Sequence, residues 1–376
     1  MTARTEPVTV TPLLGLPEVR AGDDLAAMML TALQDNGIQL VSGDILVVSS
    51  KIVSKSLGLH APSADQAAAV LSQTVRIVAE RRTPTGITRI VESAAGPVMT
   101  AAGVDASNTA DGSIVLLLPK DPDAVAAQIR DGLQAGWAEQ TGKEVMIGVI
   151  LSDTAGRPWR NGQTDFALGA AGVHVIDDLR GSTDANGRVL SVTERCVADE
   201  IAAAADLVKG KAIGVPAAHL RGLGQNVHSR SFGEGPDTDP ASGARALVRT
   251  GPQDWFGYGR VEAVRAALGI EPGSASAAEV GIPFIFTEDV ASRADRAIRV
   301  ALLSCPGASA RIDGGTISIT ATDDFTLGVA ATRAEVALRG EGLTTTMTRT
   351  PPLLQSPNLS RAEPLTVPAS VLIVLQ

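Results

Sequence analysis

The run Val145-Met146-Ile147-Gly148-Val149-Ile150-Leu151 constrains this chain more than any other segment. It is apolar throughout and rich in β-branched residues, so it reads as a buried strand. It ends at a polar, turn-forming stretch, Ser152-Asp153-Thr154-Ala155-Gly156-Arg157. A second stretch of that character, Gly103-Val104-Asp105-Ala106-Ser107-Asn108, follows the apolar run 97–102. A carboxylate at the end of a buried strand, among small residues, can approach a hard cation or a phosphate closely. Two such carboxylates from distant parts of the chain suggest one shared metal–nucleotide site. Two Asp-capped turns are the plainer account, since Asp and Asn favour turns anyway.

Strands are predicted over residues 8–16, 45–50, 88–92, 98–101, 114–118, 173–177, 188–191 and 217–221. Helices are predicted over 23–36, 63–82, 123–135 with Gly136 as the stop, 194–209, 244–249, 261–268 and 290–303. Residues 222–243 read as a long loop and 271–276 as a linker. Towards the end come alternating strands at 310–320, 326–331 and 334–339 and an apolar run at 369–375. The elements alternate without a regular βαβ period. No GxGxxG or GxxxxGK[ST] loop is present, so the expected class is mixed α+β, neither Rossmann nor P-loop.

At 376 residues the chain suits two or three domains. Its 44% apolar and 19% charged residues fit a packed globular protein, and with 3% aromatics the cores must be built from Ala, Val, Leu and Ile. A net charge of −9 argues against nucleic-acid binding, which needs basic surface to displace counterions. Cys196 and Cys305 are the only cysteines, and His60, His174, His219 and His228 are scattered. A disulfide framework, a Cys-rich zinc site or a His-based metal site is therefore not expected, and a reducing cytoplasm is. Residues 1–12 hold no apolar core of signal-peptide length, and no run approaches the roughly 18 apolar residues of a membrane span.

Lys51 and Lys55 follow the strand 45–50, where lysines can neutralise phosphate charge and Ser49 and Ser50 can donate to its oxygens. Two solvated surface lysines are the alternative. Asp105 and Asp153 are assigned to a divalent cation, with Thr154 adding a hydroxyl or carbonyl oxygen. Asn108 offers an amide to a nucleotide. Arg157, Arg160 and Asn161 suit an anion, or an ordinary hairpin-like connection. Cys196, in an amphipathic stretch with no nearby His, reads as a structural thiol rather than a nucleophile. Trp255 and Tyr258 read as packing residues.

Several segments, in order, resemble one family, the coenzyme F420-0:γ-glutamyl ligases. They are Gly15-Leu16-Pro17-Glu18-Val19, Gly43–Lys55 with its Ser49-Ser50-Lys51, Ala102–Asn108, Leu117–Asp123, Ser152–Asp165, Cys196–Ile201, Val215-Pro216-Ala217 and Arg221-Gly222-Leu223. The likeness covers roughly residues 8–260. The third and fifth segments look most like the ligase half of the bifunctional actinobacterial version. Flavin binding by that version's nitroreductase-like C-terminal domain is not carried over, because the remaining residues lack its Arg-rich opening.

The resemblance implies a two-lobed, dimeric, cytoplasmic ligase that uses GTP with Mg²⁺ or Mn²⁺ and K⁺ to join L-glutamate to F420-0. By position it implies nucleotide contacts at Leu16, Pro17, Glu18, Val19, Ser50, Lys51, Lys55, Asn108 and the loop with Lys209, Gly210 and Lys211. Asp105, Asp153 and Thr154 would be the metal ligands. Some relatives carry an acidic residue in that loop, for a second metal, where this chain has Lys209-Gly210-Lys211. The corresponding division is a ligase domain at 1–253, a linker at 254–276 and a small α+β domain of unassigned role at 277–376. A nucleotide- or deazaflavin-binding protein without ligase activity, and an amide ligase for another carboxylate, remain alternatives.

Overall fold

The structure, a computed structural model, describes residues 6–107, 112–210, 213–229, 243–350 and 369–376. It divides into two compact units, Met1–Arg76 with Val91–Gln253, and Ile77–Ile90 with Asp254–Gln376. Both helices and strands are present in each, so the class is mixed α+β.

The chain of the first unit runs through β1 (Thr9–Pro12), α1 (Leu25–Asp35), β2 (Ile45–Ser49), α2 (Ser50–Ser56), β3 (His60–Pro62) and α3 (Gln66–Ser72). The hairpin β4 (Thr74–Thr83) and β5 (Gly86–Ser93) leads to β6 (Val98–Thr100) and β7 (Ile114–Leu116). Then come α4 (Pro122–Thr141), β8 (Gly148–Arg157), β9 (Arg160–Ala171), β10 (Ile176–Asp178), β11 (Glu194–Cys196), α5 (Val197–Lys209) and β12 (Ala217–Arg221). Five strands form one sheet in the order β1-β12-β2-β8-β9, in which only β2 and β8 run parallel.

Helices cover both faces of this sheet, which is why β2 is apolar at consecutive positions rather than alternate ones. Leu46, Val48, Val149 and Leu151 pack with Met29 and Leu33 of α1 and Leu133 and Trp137 of α4. Ile45, Val47 and Ile150 point the other way, onto Val197, Ile201 and Ala205 of α5. Each fully buried aliphatic side chain contributes about 1.5–3 kcal/mol.

Helix α4 opens on the Asp121 cap, whose carboxylate accepts from the Ala124 N–H, with Pro122 in its first turn. It passes the expected stop at Gly136 and ends at Gly142, in the left-handed conformation (φ 71°). Gly136 serves packing: a Cβ there would lie 2.5 Å from Leu30 Cδ1 of α1. Gly169 of β9 is tighter, since a Cβ would lie 2.4 Å from the Pro122 carbonyl oxygen. Backbone cannot step aside as a side-chain tip can. Gly169→Ala is expected to cost about 1–3 kcal/mol by overpacking, read as a lower urea midpoint.

The buried carboxylate of Asp44 fastens β2 to β12. It accepts from Arg221 Nε and Nη2 (2.8 and 2.7 Å) and from the Val41 N–H (3.0 Å), and His219 Nε2 lies 2.9 Å away. Burial alone would raise its pKa, but the bonds from Arg221 and Val41 and the nearby His219 ring outweigh it and hold the group at about 2. The folded value lies below the unfolded one of about 3.9, so the stabilisation is complete above about pH 4 and lost towards pH 2. Between those pH values the unfolding free energy of the wild type is expected to fall about 2 kcal/mol further than that of Asp44→Asn, by urea titration at each pH.

Residues 63–82 do not form the expected long helix. The Ala-rich part makes α3, and the chain then turns into β4, whose Thr74-Val75-Arg76-Ile77-Val78 favours a strand that pairs with β5. The run Val145–Leu151 does not end the strand either: β8 begins at Gly148 and continues to Arg157.

The second unit contains the hairpin end 77–90, α6 (Arg260–Ala267), α7 (Ala275–Val280), α8 (Val290–Leu302), β13 (Ala308–Asp313), β14 (Thr316–Ala321), α9 (Asp324–Gly340), β15 (Thr345–Thr350) and β16 (Ser370–Leu375). The strands form an antiparallel sheet in the order β13-β14-β16-β15. Ile317, Ile319 and Ile373 pack with Ala297, Ala301, Ala330 and Leu338 of α8 and α9. The expected strands at 326–331 and 334–339 are one helix, α9, which starts on the Asp323 cap. A buried ion network lies at its end. Glu341 accepts from Arg265 Nη2 (3.0 Å) and from Arg296 Nε and Nη2 (3.0 and 2.6 Å), and Arg296 also holds Glu288.

Candidate functional site

The C-terminal ends of the parallel strands β2 and β8 open into a cavity of about 1040 Å³ within the first unit. This is at or above the upper end of the range for small-molecule pockets, about 300–1,000 Å³. Its lining includes Leu16, Pro17, Glu18 and Val19 from the loop before α1, Lys51 and Lys55 from α2, Asp105, then Asp153 and Thr154 of β8, and Lys209 and Gly210 where α5 ends. These expected site residues come from five separate segments. Asn108 and Lys211 lie outside the described residues. A second cavity, about 390 Å³, opens at the other end of the strands beside Ser42, Arg130 and Met146, and it holds none of the expected residues.

Asp105 reaches the cavity on an unusual piece of backbone. Ala101, Ala102 and Gly103 are all left-handed, with φ of 52°, 54° and 73°. For a non-glycine residue that conformation costs roughly 1–2 kcal/mol. A Cβ at Gly103 would lie 2.3 Å from Leu118 Cδ1, so a larger residue there would also require Leu118 to shift. The Asp105 carboxylate then accepts from the Ser107 N–H (2.7 Å) and pairs with Lys51 Nζ (2.9 Å). Burial works against the charged form, but the Lys51 and Ser107 bonds outweigh it and lower the pKa.

Asp153 is placed differently from the expectation of a strand-end turn. It sits inside β8, opposite Phe166 of β9. It is also the first residue beyond the last β2–β8 pair, Ser49–Ser152. Its carboxylate accepts from the Ser50 hydroxyl (3.1 Å). Burial raises its pKa to about 6; the Thr154 N–H and Ser50 pull it down, and the charges of Asp165 and Asp105 push it up. Ser50, expected at a phosphate, thus spends its hydroxyl on Asp153.

Strand alternation separates the side chains of the expected metal set. Ser152 and Thr154 face α5, whereas Asp153 faces the other side. The Thr154 hydroxyl donates to Asp165 Oδ1 (2.5 Å), so its side chain does not converge with Asp153. Lys209, expected at the nucleotide, is buried and pairs with Asp165 Oδ2 (2.7 Å) and Ser152 Oγ (2.6 Å). Asp165 carries no local sequence signal, because its partners lie 11 to 44 residues away and depend on strand register. Lys55 pairs with Glu18.

The Arg157–Asn161 segment is a hairpin tip: Arg157 pairs with Arg160 around Pro158 and Trp159. Cys196 immediately precedes α5, and burial with the nearby Asp199 charge pushes its thiol up to about 12, so it is no thiolate nucleophile near neutral pH.

The donor set fits a hard divalent cation. The carboxylates of Asp105 and Asp153 line one cavity, and the half-buried Asp153 has a raised pKa that a cation would relieve. Among the described residues no cluster of three acidic, His or Cys side chains forms a cage. A cation held there would take its remaining ligands from water and a bound phosphate, as Mg²⁺ commonly does.

The sequence profile of one family, described as F420-0:Gamma-glutamyl ligase, matches residues 14–222, a span that includes every residue lining the larger cavity. This chain belongs to that family. A protein of Methanothermobacter thermautotrophicus named coenzyme F420:L-glutamate ligase is 40% identical over 263 residues, covering 64% of this chain and 96% of the relative. Proteins with the same name from Halorubrum lacusprofundi and Halobacterium salinarum are 38% and 37% identical over 220 and 217 residues, covering 53% and 52% of this chain and 81% and 79% of the relatives. The chain is thus a ligase. No helix among its described residues is long and apolar enough to cross a membrane.

Proposed function

We propose that this ligase uses GTP to join L-glutamate to coenzyme F420-0 through an amide bond and then extends a γ-linked glutamate tail. The observation that carries this reading is the gathering of Asp105, Asp153, Lys51 and Lys55 around one cavity large enough for a nucleotide beside a second substrate. Mg²⁺ or Mn²⁺, with K⁺, completes the set of ions, and the enzyme works as a homodimer in the cytoplasm.

A carboxylate is a poor electrophile because it is anionic and resonance-stabilised. Transfer of the γ-phosphoryl group of GTP to the F420-0 carboxylate breaks the bond to GDP and forms an acyl phosphate. The glutamate amine attacks the acyl carbon, phosphate leaves with the acyl C–O electron pair, and the amine proton passes to solvent. Asp105 and Asp153 would hold a divalent cation, which when bound neutralises phosphate charge. Lys51 and Lys55 add positive charge beside it, and Leu16–Val19, Asn108 and the Gly210-Lys211 segment position the nucleotide. As in other phosphoryl transfers, the protein chiefly positions and neutralises.

Incubation with GTP, Mn²⁺, L-glutamate and F420-0 tests this. GDP release together with a product heavier by one glutamyl residue is the expected result. Tight binding of either substrate with no new product overturns it, and a product formed only from another acid identifies a different acceptor.

A further inference from the structure

We propose that the buried Asp165–Lys209 pair is a positioning device that acts through the Ser152 and Thr154 hydroxyls to fix the stretch of β8 that carries Asp153. This rests on the ligation reading and adds to it two residues that set the aim of the site.

The strand needs such support. Beyond the Ser49–Ser152 pair, β8 loses its β2 neighbour and is paired on one side only, by β9, the last strand of the sheet. The β8–β9 register also shifts between Leu151 and Ser152, so the ladder is irregular just before Asp153. A polar network from three elements crosses this point. Lys209 of α5 donates to Asp165 of β9 (2.7 Å) and to Ser152 of β8 (2.6 Å). Asp165 in turn accepts from Ser152 (2.9 Å) and from Thr154 (2.5 Å). The two hydroxyls flank Asp153 in sequence, and Asp153 emerges on the opposite face, against Ser50.

The side chains of Lys209 and Asp165 are each only 5% exposed. A buried ion pair is a poor source of stability, since apolar or neutral partners of similar size often do as well. What it supplies here is fixed direction: one carboxylate with both oxygens engaged ties two strands to one helix. Lys209 and Asp165 are part of the cavity lining, and on this account they act on Asp153 through the two hydroxyls and not on the reacting atoms.

The test is the double variant Asp165→Asn/Lys209→Met, which removes both charges and strands neither. If the pair positions Asp153, kcat is expected to fall at least about tenfold, with KM for GTP within about threefold and the melting temperature within a few degrees. Amide exchange at residues 152–156, measured without substrates, is expected to rise at least about fivefold. A folded double variant with kcat within about twofold of wild type, or with unchanged exchange in that stretch, overturns the proposal. Should the double variant not fold, Ser152→Ala decides. It keeps the ion pair and removes one tie, so faster exchange and at least about threefold lower kcat support the role, and wild-type values overturn it. Failure of the wild type to ligate overturns the reaction, while the exchange measurement still judges the strut.

Discussion

Asp153→Asn is expected to lower kcat for glutamate addition by about 10²–10³-fold or more while leaving the fold intact. Asp153 and Asp105 are the two carboxylates assigned to the cation in the cavity at the ends of β2 and β8. An amide in place of Asp153 still accepts from Ser50 but carries no charge to offset a cation.

The stability readout has the opposite sign, which separates the effect from misfolding. The Asp153 carboxyl lies at about 6 in the folded chain, above the unfolded value of about 3.9. At pH 7.5, without nucleotide or divalent ions, folding therefore confines a charge where burial disfavours it. The variant is expected to be the more stable by about 3 kcal/mol there. That advantage shrinks as the pH falls through 6 and is gone below about 4, where the wild-type carboxyl is protonated in both states. Paired denaturation curves at pH 7.5 and 4 measure this, and product mass measures turnover. Near-normal turnover in Asp153→Asn refutes the assignment.

The largest loss of stability is expected from Glu341→Ala in the second unit. Arg265 and Arg296, both buried, converge on that carboxylate. Truncation leaves two guanidiniums short of countercharge in a core of Ala, Val, Leu and Ile. Breaking one side of a buried pair costs about 3–5 kcal/mol. Amide exchange in α8 and α9 is expected to rise by more than a hundredfold, and Glu341→Gln to recover part of the loss through its remaining acceptor. Exchange within a few-fold of wild type would mean that Glu288 alone compensates Arg296.

Local pattern reveals the elements whose environment is uniform. Strand β12 was legible at its observed bounds and α1 within two residues, the first from its short run after a glycine and proline, the second from apolar residues on one helical face. Residues 63–82 read as one helix because the alanines of α3 merge into β4 without a glycine or proline between them. Helix α9 was misread because Thr326, Val329 and Val336 favour strands locally, whereas its Ala330, Ala334 and Ala337 share a buried stripe.

The site divides in the same way. Residues that stand at turns, such as Asp105, announce themselves by turn chemistry. Asp165 and Lys209 do not, because what matters about them is which partners a strand register and a helix end bring near. Thr154 could be named but not aimed, since the face it takes depends on its place in β8.

The strand order carries a consequence for how the first unit comes to be made. Strand β12 is the last of the five to be translated, yet it sits between the first two, β1 and β2. Until β8 follows, both backbone edges of β2 are open, and from then until Ala217 leaves the ribosome one edge still is. At about 5–20 residues per second the wait from β2 to Ala217 lasts on the order of ten to thirty seconds. During that interval the nascent chain offers a docking edge to any extended segment nearby, its own sister chains on the same message included. Insertion of β12 ends the hazard, so a pause in translation just before residue 217 prolongs the exposure of the edges of β1 and β2.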